Sequence, residues 1–208
     1  MVENKSLANP VPIGLMGFAL TTFIIGLIES NWLVASGSDA VIPLALLYGG
    51  LVQGIAGILA WRNGNTLAQT AFLTYGAYNI WFALFELFDV TGIIDPSASL
   101  TAFGVITLGF GIITVLWFIS SLGESVSLAL VFATLALTYL LIGIGYWLDF
   151  TALNVWGGYF GLASALIAAY VSFSYVTNAT WGRDVVPTGP PVVGGEDESQ
   201  ANAGQAGD

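Results

Sequence analysis

The 208 residues contain no cysteine and no histidine, and lysine and arginine together number only three. Without cysteine there is no disulfide, no thiolate nucleophile and no thiolate metal site. Without histidine the usual zinc sets, haem ligation through imidazole and Ser-His-Asp catalysis are also excluded. Charge is scarce altogether, at 8% of residues, where a soluble domain carries about 25%. With 56% hydrophobic residues and a mean hydropathy of +0.84, the chain reads as an all-α integral membrane protein of one domain. Thirteen acids leave a net charge of −10, a surface that repels nucleic acid. No nucleophile–base pair or metal set can be assembled, so an enzyme is the least favoured reading and no cofactor is expected. Lysine is missing from every long apolar run, which excludes a retinal Schiff base. The Arg-rich helix of a voltage sensor is missing too.

What is present is a series of apolar runs. A bilayer-spanning helix needs roughly 20 mostly apolar residues, and six stretches qualify: Ile13–Ser30, Val41–Trp61, Leu67–Phe88, Ala98–Ser120, Val126–Leu148 and Leu153–Val176. Turn chemistry separates them at Gly37-Ser38-Asp39, Asn63-Gly64-Asn65, Gly92 to Pro96 and Leu122-Gly123-Glu124. The expected organisation is an N-terminal segment (1–12), a six-helix membrane domain (13–183) and an acidic, Pro/Gly-rich disordered tail (184–208). The N-terminus lacks the flank and cleavage site of a signal peptide, so the first span is expected to stay. Lys5, Arg62 and Arg183 fall on one side of a six-span topology, and Asp39, Asp89, Asp95 and Asp149 on the other. By the positive-inside rule both termini are cytoplasmic, in a multi-pass protein of the cell membrane.

Few polar residues lie within the spans. Asn9-Pro10-Val11-Pro12 precedes the first, with Asn9 suited to the N-cap and Pro10 to the first helical position. Such a start leaves free amides and a positive dipole end, a resting place for a small anion or simply the start of a membrane helix. Phe18, Thr22, Ile25 and Glu29 share one face at helical spacing, as do Tyr75, Asn79, Phe82 and Glu86, and again Leu135, Tyr139, Ile142 and Tyr146. Trp32, Trp61, Trp147 and Trp181 lie near span ends, as interfacial anchors do. Gln53 and Asn79 are amides that need partners in lipid, from another helix or from a wet cavity. Glu29 and Glu86 are either solvated end-of-helix acids or members of a proton relay, Glu86 being the candidate to test. The steps Gly50/Gly54 and Gly157/Gly161/Ala165/Ala169 allow close packing between helices or between subunits.

Leu7-Ala8-Asn9-Pro10-Val11-Pro12-Ile13-Gly14-Leu15-Met16-Gly17-Phe18 resembles the signature of the acetate uptake transporter (succinate–acetate permease) family. Tyr48-Gly49-Gly50-Leu51-Val52-Gln53-Gly54-Ile55-Ala56-Gly57 is similar to its second-helix segment, Thr70 to Gly76 to its third, and Trp181 to Pro187 to the motif after its sixth. The resemblance implies six helices surrounding a pore in each subunit, assembled as a homo-hexamer. It implies a hydrophobic constriction at Phe18, Tyr75 and Leu135, with Asn9 and Gln53 contacting carboxylate. Tyr48, Thr22 and Asn79 join them as candidates for substrate binding. The function so implied is transmembrane transport of acetate and related small monocarboxylates, succinate among them, as an anion channel or coupled to protons. A channel for urea or short amides, or for ammonia or ammonium, is the competing reading.

Overall fold

The computed structural model describes residues 8–33 and 39–194, the side chains of 96–98 aside. Lys5, Leu7, Gly37, Ser38, Glu196, Asp197, Glu198 and Asp208 lie outside the described residues. Six long helices follow one another: α1 (Val11–Glu29), α2 (Val41–Arg62), α3 (Thr66–Val90), α4 (Pro96–Ser121), α5 (Val126–Trp147) and α6 (Thr151–Trp181). Five are long and apolar enough to cross a membrane by length and composition. The exception, α3, is 25 residues long and carries Gln69, Asn79, Glu86 and Asp89. At 1.5 Å per residue it has the length to span a hydrocarbon core of about 30 Å.

Helix starts follow their capping residues. Asn65 Oδ1 accepts the Ala68 N–H at 2.9 Å and Ser125 Oγ the Leu128 N–H at 3.2 Å. At α1 the expectation is off by one residue: Pro10, not Asn9, occupies the N-cap and Val11 is the first helical residue, although Asn9 Oδ1 still accepts the Val11 N–H at 3.0 Å from just outside the helix. At the other end of the chain α6 runs to Trp181 and stops at Gly182, whose φ of 65° is the left-handed cap that glycine adopts without a Cβ penalty.

The helices form a ring in chain order, closed by α6 against α1. Most seams are close because glycines face backbone. A Cβ on Gly76 of α3 would lie 3.0 Å from Gly50 O and 3.1 Å from Gly54 N, so the Gly50/Gly54 step packs α2 on α3. A Cβ on Gly158 of α6 would lie 2.5 Å from Ser30 N at the end of α1. The seam between α3 and α4 is different: few backbone segments meet there, and large rings fill it instead. Tyr78 meets Phe110 at a centroid distance of 4.6 Å, and Trp81 stacks on Phe103 at 5.4 Å. Hydroxyls cross other seams, Ser172 Oγ donating to Pro12 O at 2.7 Å and Ser164 Oγ to Val131 O at 3.0 Å.

Two features depart from the sequence reading. Residues Ala45–Val52 of α2 form a π-helix, which re-aims Gln53 relative to a continuous α-helix. The segment after α6 is also not structureless from Asp184 onward. Asn178 Oδ1 accepts the N–H groups of Val185 and Val186, and Tyr170 Oη and Ser174 Oγ donate to Pro187 O and Val186 O. Pro190 O and Thr188 O then accept the Val126 and Ser127 N–H groups, two of the amides that every helix start leaves without a partner. Residues 185–193 thus form a strap over the α4–α5 turn. Composition suggested disorder, but backbone bonding to a polar stripe on α6 fixes these residues.

Candidate functional site

The ring encloses a row of cavities between the face carrying Asn9, Asn65 and Arg183, the near face, and the far face of Glu86 and Asp149. The near cavity, about 50 Å³, is bordered by apolar side chains including Val11, Leu15, Leu67 and Phe72, with Gln53 and Glu124 among the few polar ones. A second cavity of about 30 Å³, the neck, is bordered by Thr22, Asn79, Tyr78, Phe103 and Thr138. A water needs about 10–15 Å³, so each holds a few small molecules at most. The far side opens into two wide vestibules of about 590 and 250 Å³.

Among the described residues Leu135 alone borders both the near cavity and the neck. It is 2% exposed, and Phe18 and Tyr75 beside it are each 3% exposed. The Phe18 and Tyr75 rings lie 6.2 Å apart between centroids, and Tyr75 stacks on Tyr139 at 6.0 Å, distances at which aromatic rings touch. Phe18, Tyr75 and Leu135, the three residues for which the resemblance implies a constriction, are thus all buried and all border the near cavity. Tyr75 is held from behind: its hydroxyl pairs with Thr114 Oγ1 at 2.9 Å and its ring meets Trp117 edge-on at 5.3 Å.

Two amides lie on either side of Leu135. Gln53 is fully buried and borders the near cavity; Asn79 borders the neck. Asn79 Nδ2 donates to Tyr75 O at 3.0 Å and to Gln53 Oε1 and Gly49 O at 3.3 Å each. That approach requires Gly49, because a Cβ there would lie 2.9 Å from the Asn79 amide carbon. Gln53 Nε2 is buried with no hydrogen-bond partner among the described residues. A buried donor left unpaired costs about 1–3 kcal/mol, so its retention needs a reason.

The remaining sequence candidates fall as follows. Thr22 borders the neck. Asn9 is exposed on the rim of the near face and Tyr48 is half-buried; neither borders any of the four cavities. The Tyr48 carbonyl instead sits where a Cβ on Gly17 would lie 2.8 Å from it, against α1. Glu86 borders a far vestibule but not the neck. Glu29 borders the neck and both vestibules, and accepts a hydrogen bond from Tyr146 Oη at 3.1 Å. Sequence reasoning passed over Glu124, Asn154 and Thr138. The helical spacing of Leu135, Thr138 and Ile142 was the signal available for Thr138.

The family profile described as the GPR1/FUN34/yaaH family matches residues 1–188. The chain belongs to that family. Among its relatives is the succinate-acetate/proton symporter SatP of Escherichia coli K12, 33% identical over 89% of this chain and 97% of that one. Acetate permease A of Emericella nidulans is 32% identical over 89% of this chain and 67% of its own length. Ammonia transport outward protein 3 of Saccharomyces cerevisiae is 31% identical over 82% of this chain and 63% of its own. The solved structure of the bacterial acetate channel SatP superposes with a TM-score of 0.83 at 32% identity, covering 88% of this chain and all of that one. The family member described here is thus an all-α, multi-pass membrane transport protein with the six-helix fold of that channel.

Proposed function

We propose that the protein carries acetate and related small monocarboxylates, succinate among them, across the cell membrane through the row of cavities inside the helix ring. The observation that carries this reading is the unpartnered Nε2 of Gln53 beside an apolar cavity and an aromatic closure. A carboxylate oxygen satisfies that donor, while the methyl group of acetate tolerates the dry walls. Chloride or phosphate gains nothing from an apolar constriction.

The route joins the far vestibules to the near face by way of Thr22 and Asn79, then Phe18, Tyr75 and Leu135, then Gln53. No lysine or arginine borders it among the described residues. Arg62 and Arg183 both lie on the near face, which supports placing that face, and both termini, in the cytoplasm. Assembly as a homo-hexamer, implied by the resemblance, completes the reading; the apolar outer faces of the helices, such as Ile112 and Leu116 at 57% and 58% exposure, leave ample surface for lipid and for neighbours.

Export of ammonium is the second reading, favoured by the acids Glu29, Glu86 and Asp149 around the far vestibules. Purified protein in liposomes separates the two. Radiolabelled acetate uptake, competed by succinate but not by urea or methylammonium, is the expected result. Flux of methylammonium without flux of acetate would overturn it.

A further inference from the structure

Glu29 occupies a position that no other described residue shares: it borders the neck and both far vestibules. Whatever leaves the neck toward the far face passes its carboxyl group. Three turns back along the same face of α1 lies Phe18, at the closure. From across the ring Tyr146 Oη donates to Glu29 Oε1 at 3.1 Å, and Asn154 of α6 borders the same vestibule. Glu29 is thus a fixed carboxyl at the mouth of a passage whose proposed cargo is itself a carboxylate.

The charges facing it are all acidic. From α3 come Glu86 and Asp89, and from the turn after α5 comes Asp149. The tyrosines Tyr139 and Tyr146 of α5 and Tyr78 of α3 are the other titratable groups bordering the same cavities. From α4 only Leu100, Thr101 and Phe103 face it, and no cation of the described residues borders these cavities. An ionised Glu29 therefore opposes an incoming anion with nothing to offset it. A protonated Glu29 presents an O–H donor instead.

Resting on the transport reading above, we infer that Glu29 hands a proton to the cargo at the neck, so that a small monocarboxylate crosses the aromatic closure as the neutral acid. The step balances. The Glu29 O–H bond breaks as an O–H bond forms on the acetate oxygen, giving acetic acid and a Glu29 carboxylate. Hydronium from the far-side solution then reprotonates Glu29 and becomes water, so one proton crosses with each acetate. Donor and acceptor are the same functional group, so the proton moves either way with little bias. The neutral acid then enters an apolar constriction that an anion enters only at a large desolvation penalty. Glu86, bordering only a wide vestibule, has no such part.

The test is acetate flux in liposomes carrying the wild type, Glu29→Gln and Glu86→Gln, read in two ways. One is accumulation driven by an imposed pH gradient; the other is acetate–acetate exchange without a gradient. Glutamine keeps an oxygen to accept the Tyr146 bond but cannot cycle a proton. Glu29→Gln should lose at least tenfold of the gradient-driven accumulation and its pH dependence, while Glu86→Gln keeps both. Exchange should fall in Glu29→Gln as well, since its cargo has no proton to cross with, while an unchanged elution profile and unfolding midpoint in detergent show that the variant folds; exchange at the wild-type level overturns the inference. Gradient-driven accumulation at the wild-type level in Glu29→Gln overturns the inference, as does its loss in Glu86→Gln or a wild-type flux indifferent to the gradient. Absence of acetate exchange in the wild type itself would sink the transport reading instead.

Discussion

Replacing Gln53 by leucine pulls stability and transport in opposite directions, which makes it a sharp test of why an unpaired donor is kept. In the resting structure Nε2 has no partner and Oε1 makes one long bond, 3.3 Å from Asn79 Nδ2. Removing a buried unpaired donor recovers about 1–3 kcal/mol, and losing one weak bond gives back about 0.5–1 kcal/mol. Asn79 keeps its bonds to Tyr75 O and Gly49 O, so no new orphan is created. The protein should be as stable as before or slightly more so, and about 1 kcal/mol moves the midpoint by roughly 2–4 °C in a chain of this size. Transport should suffer. A hydrogen bond from Nε2 to an ionised carboxylate contributes about 1.5–3 kcal/mol, which is roughly a 10- to 100-fold rise in the half-saturating acetate concentration. Initial uptake rates against acetate concentration, beside thermal unfolding in detergent, give both numbers. An unchanged half-saturation would refute the binding role, and a large fall in unfolding midpoint would mark Gln53 as a packing residue.

Phe18→Ala opens the closure on one side, and the succinate-to-acetate uptake ratio should rise by about tenfold, the scale on which an apolar pocket discriminates by size; unchanged selectivity argues against the closure as a filter. Gly49→Ala would drive a Cβ to 2.7 Å from Thr21 Oγ1 and 2.9 Å from Asn79 Cγ, so it should destabilise by about 1–3 kcal/mol, seen as a lowered unfolding midpoint together with lost flux. Asn178→Ala removes three bonds to Val185 and Val186; limited proteolysis within 185–193 should accelerate while acetate exchange is largely retained.

The helices were readable from the sequence because lipid demands long apolar runs, although the last, placed to Val176, runs on to Trp181 through the more polar Thr177-Asn178-Ala179-Thr180. The Gly50/Gly54 step and the face holding Tyr75 and Asn79 were readable for the same reason: at helical period, small and polar residues on one stripe have few places to go. The π-helix at Ala45–Val52 was not, since nothing in a run of apolar and glycine residues distinguishes a 3.6-residue turn from a wider one. The strap was missed because its order comes from the Tyr170/Ser174/Asn178 stripe on a helix that precedes it, not from its own composition. Ranking Glu29 against Glu86 was also beyond the sequence. Each lies eleven residues past a closure residue, 18 to 29 and 75 to 86, which is about 16 Å along either helix. Lateral position separates them. The bare backbone of Gly158 lets the end of α1 lie against α6, and this sets Glu29 beside Tyr146 and in the neck.

Why such a route should lack a cation follows from what transport needs at both ends. A lysine opposite acetate in a dry passage would bind it far more tightly than a neutral amide does, because Coulomb attraction grows as the dielectric falls. A cargo held that firmly leaves slowly, and flux requires binding weak enough to let go. One amide donor at Gln53 and a carboxyl at Glu29 meet that demand from opposite sides. The first recognises a carboxylate without trapping it. The second removes the charge before the cargo meets Tyr75, Phe18 and Leu135, and regains its proton from the far-side solution.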